Sequence, residues 1–414
     1  MDGPHKSLFK LLAYLQLSRD GGLLFATCGV RSFAYGFLSV VLGLYLDAIG
    51  LDKAAIGWIF TAALAGGAVM TVVLTAVADS FGRRTLLILG ALLMALAGLA
   101  FAVTNNPVLL AVAAIFGTIS PSGKEVGPFL SIEQAILPQT TREQNRTAAF
   151  SAYNLVGSLT GALGALAVAL PSFLSLAPLA GYRFLIWGYV VSAVLMLVLF
   201  AFLSPAIEAR TRAAPDLRRI GVQRSRGIVA KLAALFALDA FAGGFMVQSL
   251  VAYWFFLRYK TDINALGGIF FGTNILSALS FLAAPLIARR IGLLNTMVFT
   301  HLPSNFLLLL VPFMPNVELA VVVLLARHLL SQLDVPTRQS YTMAVVDPDE
   351  RAASAGIMSV ARNIGAAIAP LFTGTVLAAP SLGLPFLLAG GIKIVYDFWI
   401  FALFRHVRPP EEES

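Results

Sequence analysis

The sequence predicts an all-α membrane protein of twelve transmembrane helices, arranged as two pseudo-symmetric six-helix bundles. Three observations lead there. The chain of 414 residues is 58% hydrophobic and only 12% charged, whereas soluble domains run near half apolar and a quarter charged. Apolar runs of about 20 residues, long enough to cross roughly 30 Å of hydrocarbon as helix, recur along its whole length. The chain also repeats itself at a spacing of about 208 residues. Arg31-Ser-Phe-Ala-Tyr-Gly-Phe37 is echoed by Asp239-Ala-Phe-Ala-Gly-Gly-Phe245, and Asp52-Lys-Ala-Ala-Ile-Gly-Trp-Ile-Phe60 by Asp262-Ile-Asn-Ala-Leu-Gly-Gly-Ile-Phe270.

Taken in order, residues 1–22 form an N-terminal segment in which Lys6, Lys10 and Arg19 interrupt Leu and Phe. It carries no small-residue cleavage site and reads as an interfacial helix. The first bundle, 23–204, holds spans near 23–46, 54–78, 85–103, 108–137, 147–170 and 183–204. A polar stretch, 205–227, carries Arg210, Arg212, Arg218, Arg219, Arg224 and Arg226 and reads as a basic linker. The second bundle, 228–405, holds spans near 229–257, 265–288, 294–314, 317–346, 353–379 and 383–404, and 406–414 is a tail.

The formal charge of +8 lies mainly in short loops between apolar runs, which is how orientation is set in a bilayer rather than how nucleic acid is bound. Arg83 and Arg84, the linker, Arg289 and Arg290, and Arg405 and Arg408 fall on one side, so both termini are placed in the cytoplasm, with the plasma (inner) membrane as the setting. The single cysteine, Cys28, excludes an intrachain disulfide and a Cys-rich metal site. No metal-ligand cluster and no nucleophile beside a base stands out, so neither a cofactor nor an enzymatic activity is expected.

Between spans two and three the chain reads Thr75-Ala-Val-Ala-Asp79-Ser-Phe-Gly82-Arg83-Arg84, with Pro285-Leu-Ile-Ala-Arg-Arg290-Ile-Gly292 at the equivalent place in the second half. Asp79, Gly82, Arg83 and Arg84 resemble the loop signature of the major facilitator superfamily, although Thr75 and Ser80 stand where that signature usually has Gly and Arg. With twelve spans, a six-plus-six repeat and a basic linker, the resemblance covers nearly the whole chain. It implies a secondary transporter with a central cavity that works by alternating access, and a latch at Asp79, Gly82, Arg83 and Arg84. Span eleven carries Gly365-Ala-Ala-Ile-Ala-Pro370, and span five carries Gly157 and Gly161 at the repeat position. This is similar to a Gly-Pro signature of proton-coupled drug exporters, where the proline lies in span five instead. It hints at export; the same small residues also allow close helix packing.

Ionisable residues inside the spans are the sharper signal, because a charge near the bilayer centre costs at least ~2.5–3.5 kcal/mol. Arg31 and Asp239 hold equivalent places in the two halves, so they are candidates to face each other across the axis. Span four contains Ile119-Ser-Pro-Ser-Gly-Lys124-Glu125-Val-Gly-Pro128, and span ten contains Asp334-Val-Pro336. Broken helices at corresponding places mark a transporter's binding region. Lys124 and Glu125 serve either as a site or as an ion pair fixing the kink. Arg362 in span eleven has no local acid, so Asp334, Glu125 or a bound anion is its expected partner. Lys393 and Asp397, four apart in span twelve, are expected to pair with each other.

The resulting expectation is a secondary active transporter moving a small molecule, with protons as coupling ion. No ATP-binding module is seen to drive it. The substrate and proton pathway comprises Arg31, Lys124, Glu125, Asp239, Asp334 and Arg362. Efflux is the leading direction. Proton-coupled uptake of a small organic anion and a non-transporting sensor are the alternatives. One chain holds both halves of the site, so a monomer suffices.

Overall fold

The computed structural model describes residues 17–124, 129–142, 145–208, 222–347, 350–378 and 383–407. Glu125, the arginines between 209 and 221, the segment 1–16 and the tail from Arg408 lie outside these residues, as does the side chain of Asp79. Among the described residues, eleven helices are long and apolar enough to cross a membrane. The first bundle contains α1 (Arg19–Ala48), α2 (Lys53–Phe81), α3 (Arg83–Val103), the shorter α4 (Pro107–Phe116) and α5 (Phe129–Ile136), α6 (Arg146–Leu166) and α7 (Pro178–Ala201). In the second, α8 (Arg226–Gly244) and α9 (Gln248–Tyr259) are followed by α10 (Ile263–Ile291), α11 (Leu293–Leu310), α12 (Val317–Leu330), α13 (Asp334–Val345), α14 (Arg351–Ile368) and α15 (Leu384–Phe404). α4 with α5, α8 with α9, and α12 with α13 each make one crossing, giving twelve.

The repeated aspartates prove to be helix caps. The Asp52 carboxylate accepts the Ala55 amide at 2.7 Å, and Asp262 accepts the amides of Asn264 and Ala265 at 2.8 and 3.0 Å. Each opens the second span of its half and contributes about 1 kcal/mol to the helix start. The second spans also end alike. Gly82 and Gly292 have φ of +88° and +86°, a conformation that glycine adopts without steric penalty, and each passes directly into the next helix.

Spans one and seven each lie against a small-residue helix. A Cβ on Gly36 would stand 2.1 Å from the Gly161 carbonyl, and one on Gly365 would stand 2.2 Å from the Ala237 carbonyl. Such backbone approach supplies van der Waals contact between helices when hydrocarbon offers no hydrophobic drive.

The breaks expected in spans four and ten are present, and span seven is broken as well, between Gly244 and Gln248. Its signal was the Gly243-Gly244 pair. In span four, Thr118 and Gly123 take positive φ of 52° and 68°. The opened turns answer one another: the Ser249 amide at the start of α9 donates to the Pro121 carbonyl at 2.9 Å. An unpaired backbone group in hydrocarbon costs several kcal/mol, so the two breaks are cheaper together than apart.

Hydrogen bonds between the halves gather away from the linker. Gln248 Nε2 donates to Ser39 Oγ (2.9 Å), Ser249 Oγ to the Ser39 carbonyl (2.7 Å) and Tyr253 OH to Asp47 (2.6 Å). Lys53 Nζ reaches the Leu377 carbonyl at 2.7 Å, and Ser172 Oγ meets Asn264 Oδ1 at 2.9 Å. Nearer the linker, a cleft of about 270 Å³ separates α2 and α5 from α14, with Thr71, Ser131, Gln134, Ser359 and Asn363 on its walls.

On the linker face, two carboxylates tie loops to helix starts. Glu208 accepts the amides of Arg83 (2.6 Å) and Arg84 (3.2 Å), while Arg83 Nη1 and Arg84 Nη2 bond the Ile207 and Ala201 carbonyls. The described part of the loop expected to act as a latch is thus fastened inside its own half. Glu350 accepts the amides of Gln223, Arg224 and Ser225 at 2.7, 2.9 and 2.8 Å. The Gln223 amide, with those of Ser225 and Arg224, holds the Glu350 carboxyl at about 2 against an ordinary 4.5. A depressed carboxylate stabilises the fold fully above its unfolded pKa and loses that contribution as pH falls toward the folded one. Glu350→Gln should therefore melt below wild type at pH 7, and the gap should close as pH drops from 4.5 toward 2. Melting curves of the detergent-purified protein across that range check it.

Candidate functional site

Each half buries its own charge network. Arg31, on α1, makes a two-pronged contact with Glu133 on α5: Nη1 to Oε1 at 3.0 Å and Nη2 to Oε2 at 2.6 Å. Both side chains are fully buried. Thr27 Oγ1 donates to Oε1 at 3.0 Å, the Tyr153 hydroxyl donates to Oε2, and Arg31 Nη2 reaches the Tyr153 oxygen at 3.1 Å. The guanidinium lies 5.0 Å from the Phe129 ring centre. A planar fork matched to a carboxylate, with its remaining positions filled, is the form in which a buried ion pair is tolerated.

In the second half, Asp239 on α8 is shared by three cations from three crossings. Lys393 Nζ bonds Oδ1, while Arg338 Nη1 and Arg362 Nη1 each approach Oδ2 at 3.2 Å. Arg338 Nη1 also holds Asp334 Oδ2 at 2.9 Å. Asp239 and Asp334 are nearly inaccessible, whereas the Arg362 side chain is 34% exposed. One helical turn along α15, Asp397 accepts Asn305 Nδ2 at 2.8 Å and pairs with His301 Nδ1 at 2.7 Å.

Several expected pairings change. Arg31 and Asp239 do not face each other; each meets an opposite charge on the fourth crossing of its own bundle. The polarity is inverted, Arg on span one with Glu on span four, and Asp on span seven with Arg on span ten. Lys393 turns to Asp239 rather than to Asp397, because α8 brings a carboxylate closer than the helix's own next turn. Arg362 finds Asp239 rather than Asp334.

Sequence reasoning passed over Glu133 and Arg338 and did not place Arg327 in the site. Arg338 carried a readable signal, four residues after Asp334 in one helix. Glu133 carried none beyond being an acid in an apolar run. Lys124, at the break of span four, is exposed, and Arg362, Asp334, Arg327 and Arg338 of the second half all lie within electrostatic reach of it. Gly157 lies on Ser32 and Cys28, and the Pro370 carbonyl would stand 2.3 Å from a Cβ on Gly57 across the half-to-half contact. Among the described residues no group of three or more His, Cys, Asp or Glu is placed to hold a metal ion.

Two helical bundles joined by a linker, meeting on one face and enclosing charged broken helices, define a polytopic membrane transporter. The profile of the Major Facilitator Superfamily matches residues 24–331, and the chain belongs to that superfamily. It is 29% identical to the uncharacterised membrane protein YJR124C of Saccharomyces cerevisiae, the alignment covering 94% of this chain and 95% of the yeast protein. The nucleoside transporter NupG shares the fold at a TM-score of 0.75 and 15% identity, with 94% of this chain and all of that one covered. A D-xylose–proton symporter does so at a TM-score of 0.70 and 14% identity, covering 92% and 97%.

The N-half pair generates a stability test. Removing one partner of a buried pair costs about 3–5 kcal/mol, whereas replacing both by apolar residues is often near neutral. Arg31→Met should lower the melting temperature markedly, and Arg31→Met combined with Glu133→Leu should recover most of the loss. Thermal unfolding of the three proteins in one detergent checks this.

Proposed function

We propose that this chain is a secondary active transporter that carries a small molecule by alternating access, the bundles 23–204 and 228–405 rocking about the region of Lys124. The observation that carries the reading is the one-sided closure. Hydrogen bonds join spans one and seven and spans five and eight away from the linker, and Lys53 joins spans two and eleven there. Toward the linker a cleft parts the halves. The arginines of the linker face, Arg83, Arg84, Arg289 and Arg290, support a cytoplasmic linker and termini by the positive-inside rule. The cleft then opens to the cytoplasm.

Protons are the proposed coupling ion. Asp239 is a buried carboxylate whose three basic partners sit on other helices, and Asp334 shares one of them, Arg338, so helix rearrangement changes the company of Asp239 and hence its proton affinity. The fold shared with a D-xylose–proton symporter is consistent with that coupling. Efflux rests on the small-residue stretch of span eleven, which packs on α8 through Gly365.

The closed contact supplies the test. A Cβ on Gly57 would stand 2.3 Å from the Pro370 carbonyl of the other half, so Gly57→Val must push the halves apart on the face away from the linker. In a Cys28→Ser background, Ser359→Cys on the cleft wall should react with a membrane-impermeant maleimide from the linker side. Adding Gly57→Val should raise its labelling from the opposite side at least tenfold. Unchanged sidedness would mean that the halves do not rock about this contact.

A further inference from the structure

The interior of the second half and the break of span four carry more positive than negative charge. Lys124, Arg327, Arg338, Arg362 and Lys393 stand against Asp239 and Asp334. Adding Glu125, the sequence neighbour of Lys124, still leaves five cations against three acids. Counting Asp397 as well, without its partner His301, leaves five against four. The Arg31–Glu133 pair neutralises itself and contributes nothing to the balance. Buried charge of one sign is costly unless it is paired, so an excess retained here calls for a partner that comes and goes.

Three of the five cations have capacity to spare. Lys124 is exposed, with Arg362 and Arg327 within electrostatic reach. Arg362 spends one Nη on Asp239 and keeps a third of its side chain accessible. Arg327, on α12 just before the break of span ten, is 8% exposed, and its Nε has no hydrogen-bond partner. Asp334 and Asp239 lie within its electrostatic reach, but Arg338 already engages both. Beside Arg327, His328 donates its Nδ1–H to the Leu324 carbonyl at 2.8 Å.

We propose that Lys124, Arg327 and Arg362 form a binding site for a small oxyanion, the carboxylate or phosphate group of the transported molecule. The inference rests on the transport reading and names its cargo class. Lys124 belongs to the first half, Arg327 and Arg362 to the second. Without an anion, like charges oppose each other as the halves approach; with one, both halves are drawn to it. A ligand shifts a conformational equilibrium only by its differential contacts, and an anion bridging the halves makes such contacts in the closed state.

The test uses the full-length protein in detergent and follows thermal unfolding with acetate, succinate, citrate or inorganic phosphate as sodium salts. Sodium chloride of equal ionic strength and tetraphenylphosphonium chloride serve as comparisons. At least one oxyanion should raise the melting temperature beyond sodium chloride. Stabilisation by the carboxylates alone or by phosphate alone identifies the group recognised. The apparent Kd should rise at least tenfold in Lys124→Gln and in Arg362→Gln. Arg327→Lys, which keeps the charge and loses the guanidinium fork, should also weaken binding and guards against a misfolded Arg327→Gln. The proposal is overturned if no oxyanion stabilises, if tetraphenylphosphonium stabilises instead, or if Lys124→Gln binds like wild type. A negative panel with the Gly57→Val accessibility change intact rejects the anion site alone. Loss of that accessibility change rejects the transport reading itself.

Discussion

A charge or an open helix turn placed in hydrocarbon must find its partner inside the protein, and the arrangement of this molecule follows from that requirement. Arg31 and Glu133 cannot be hydrated at their depth, so they take each other, with Thr27 and Tyr153 filling the remaining positions of the carboxylate. The unwound turn of span four and the fresh start of α9 close on one another through Pro121 and Ser249. These contacts act in place of the hydrophobic effect, which in a bilayer distinguishes little between helix and lipid.

The two halves solve the same problem with opposite signs and different completeness. In the first half the Arg31–Glu133 pair is bidentate and fully buried, while Lys124 at the break of span four stands apart from it. The second half is open-ended, because three cations converge on Asp239 while Arg338 also holds Asp334. A satisfied pair fixes helix positions. A network with surplus charge and one partly exposed member can exchange partners. Pseudo-symmetry of fold therefore coexists with asymmetry of chemistry.

Much of this was legible in the sequence. Span positions, the repeat, and the breaks in spans four and ten depend on residues near one another in the chain. The small-residue contacts of Gly161 and Gly365 were equally visible. The break in span seven was not anticipated: Gly243-Gly244 was its local signal, and the Pro121 carbonyl that receives the Ser249 amide lies in the other half.

The sequence by itself determined the class, the twelve crossings and which residues put charge into the membrane, because hydropathy is a local property. Only the tertiary structure decided which charges meet. Lys393 had Asp397 one turn away and chose Asp239; Arg31 had Asp239 as its repeat mate and chose Glu133. Ion pairing acts over a few ångströms, and which groups come that close is set by the rotation and register of three or four helices packed together, quantities that no single helix encodes.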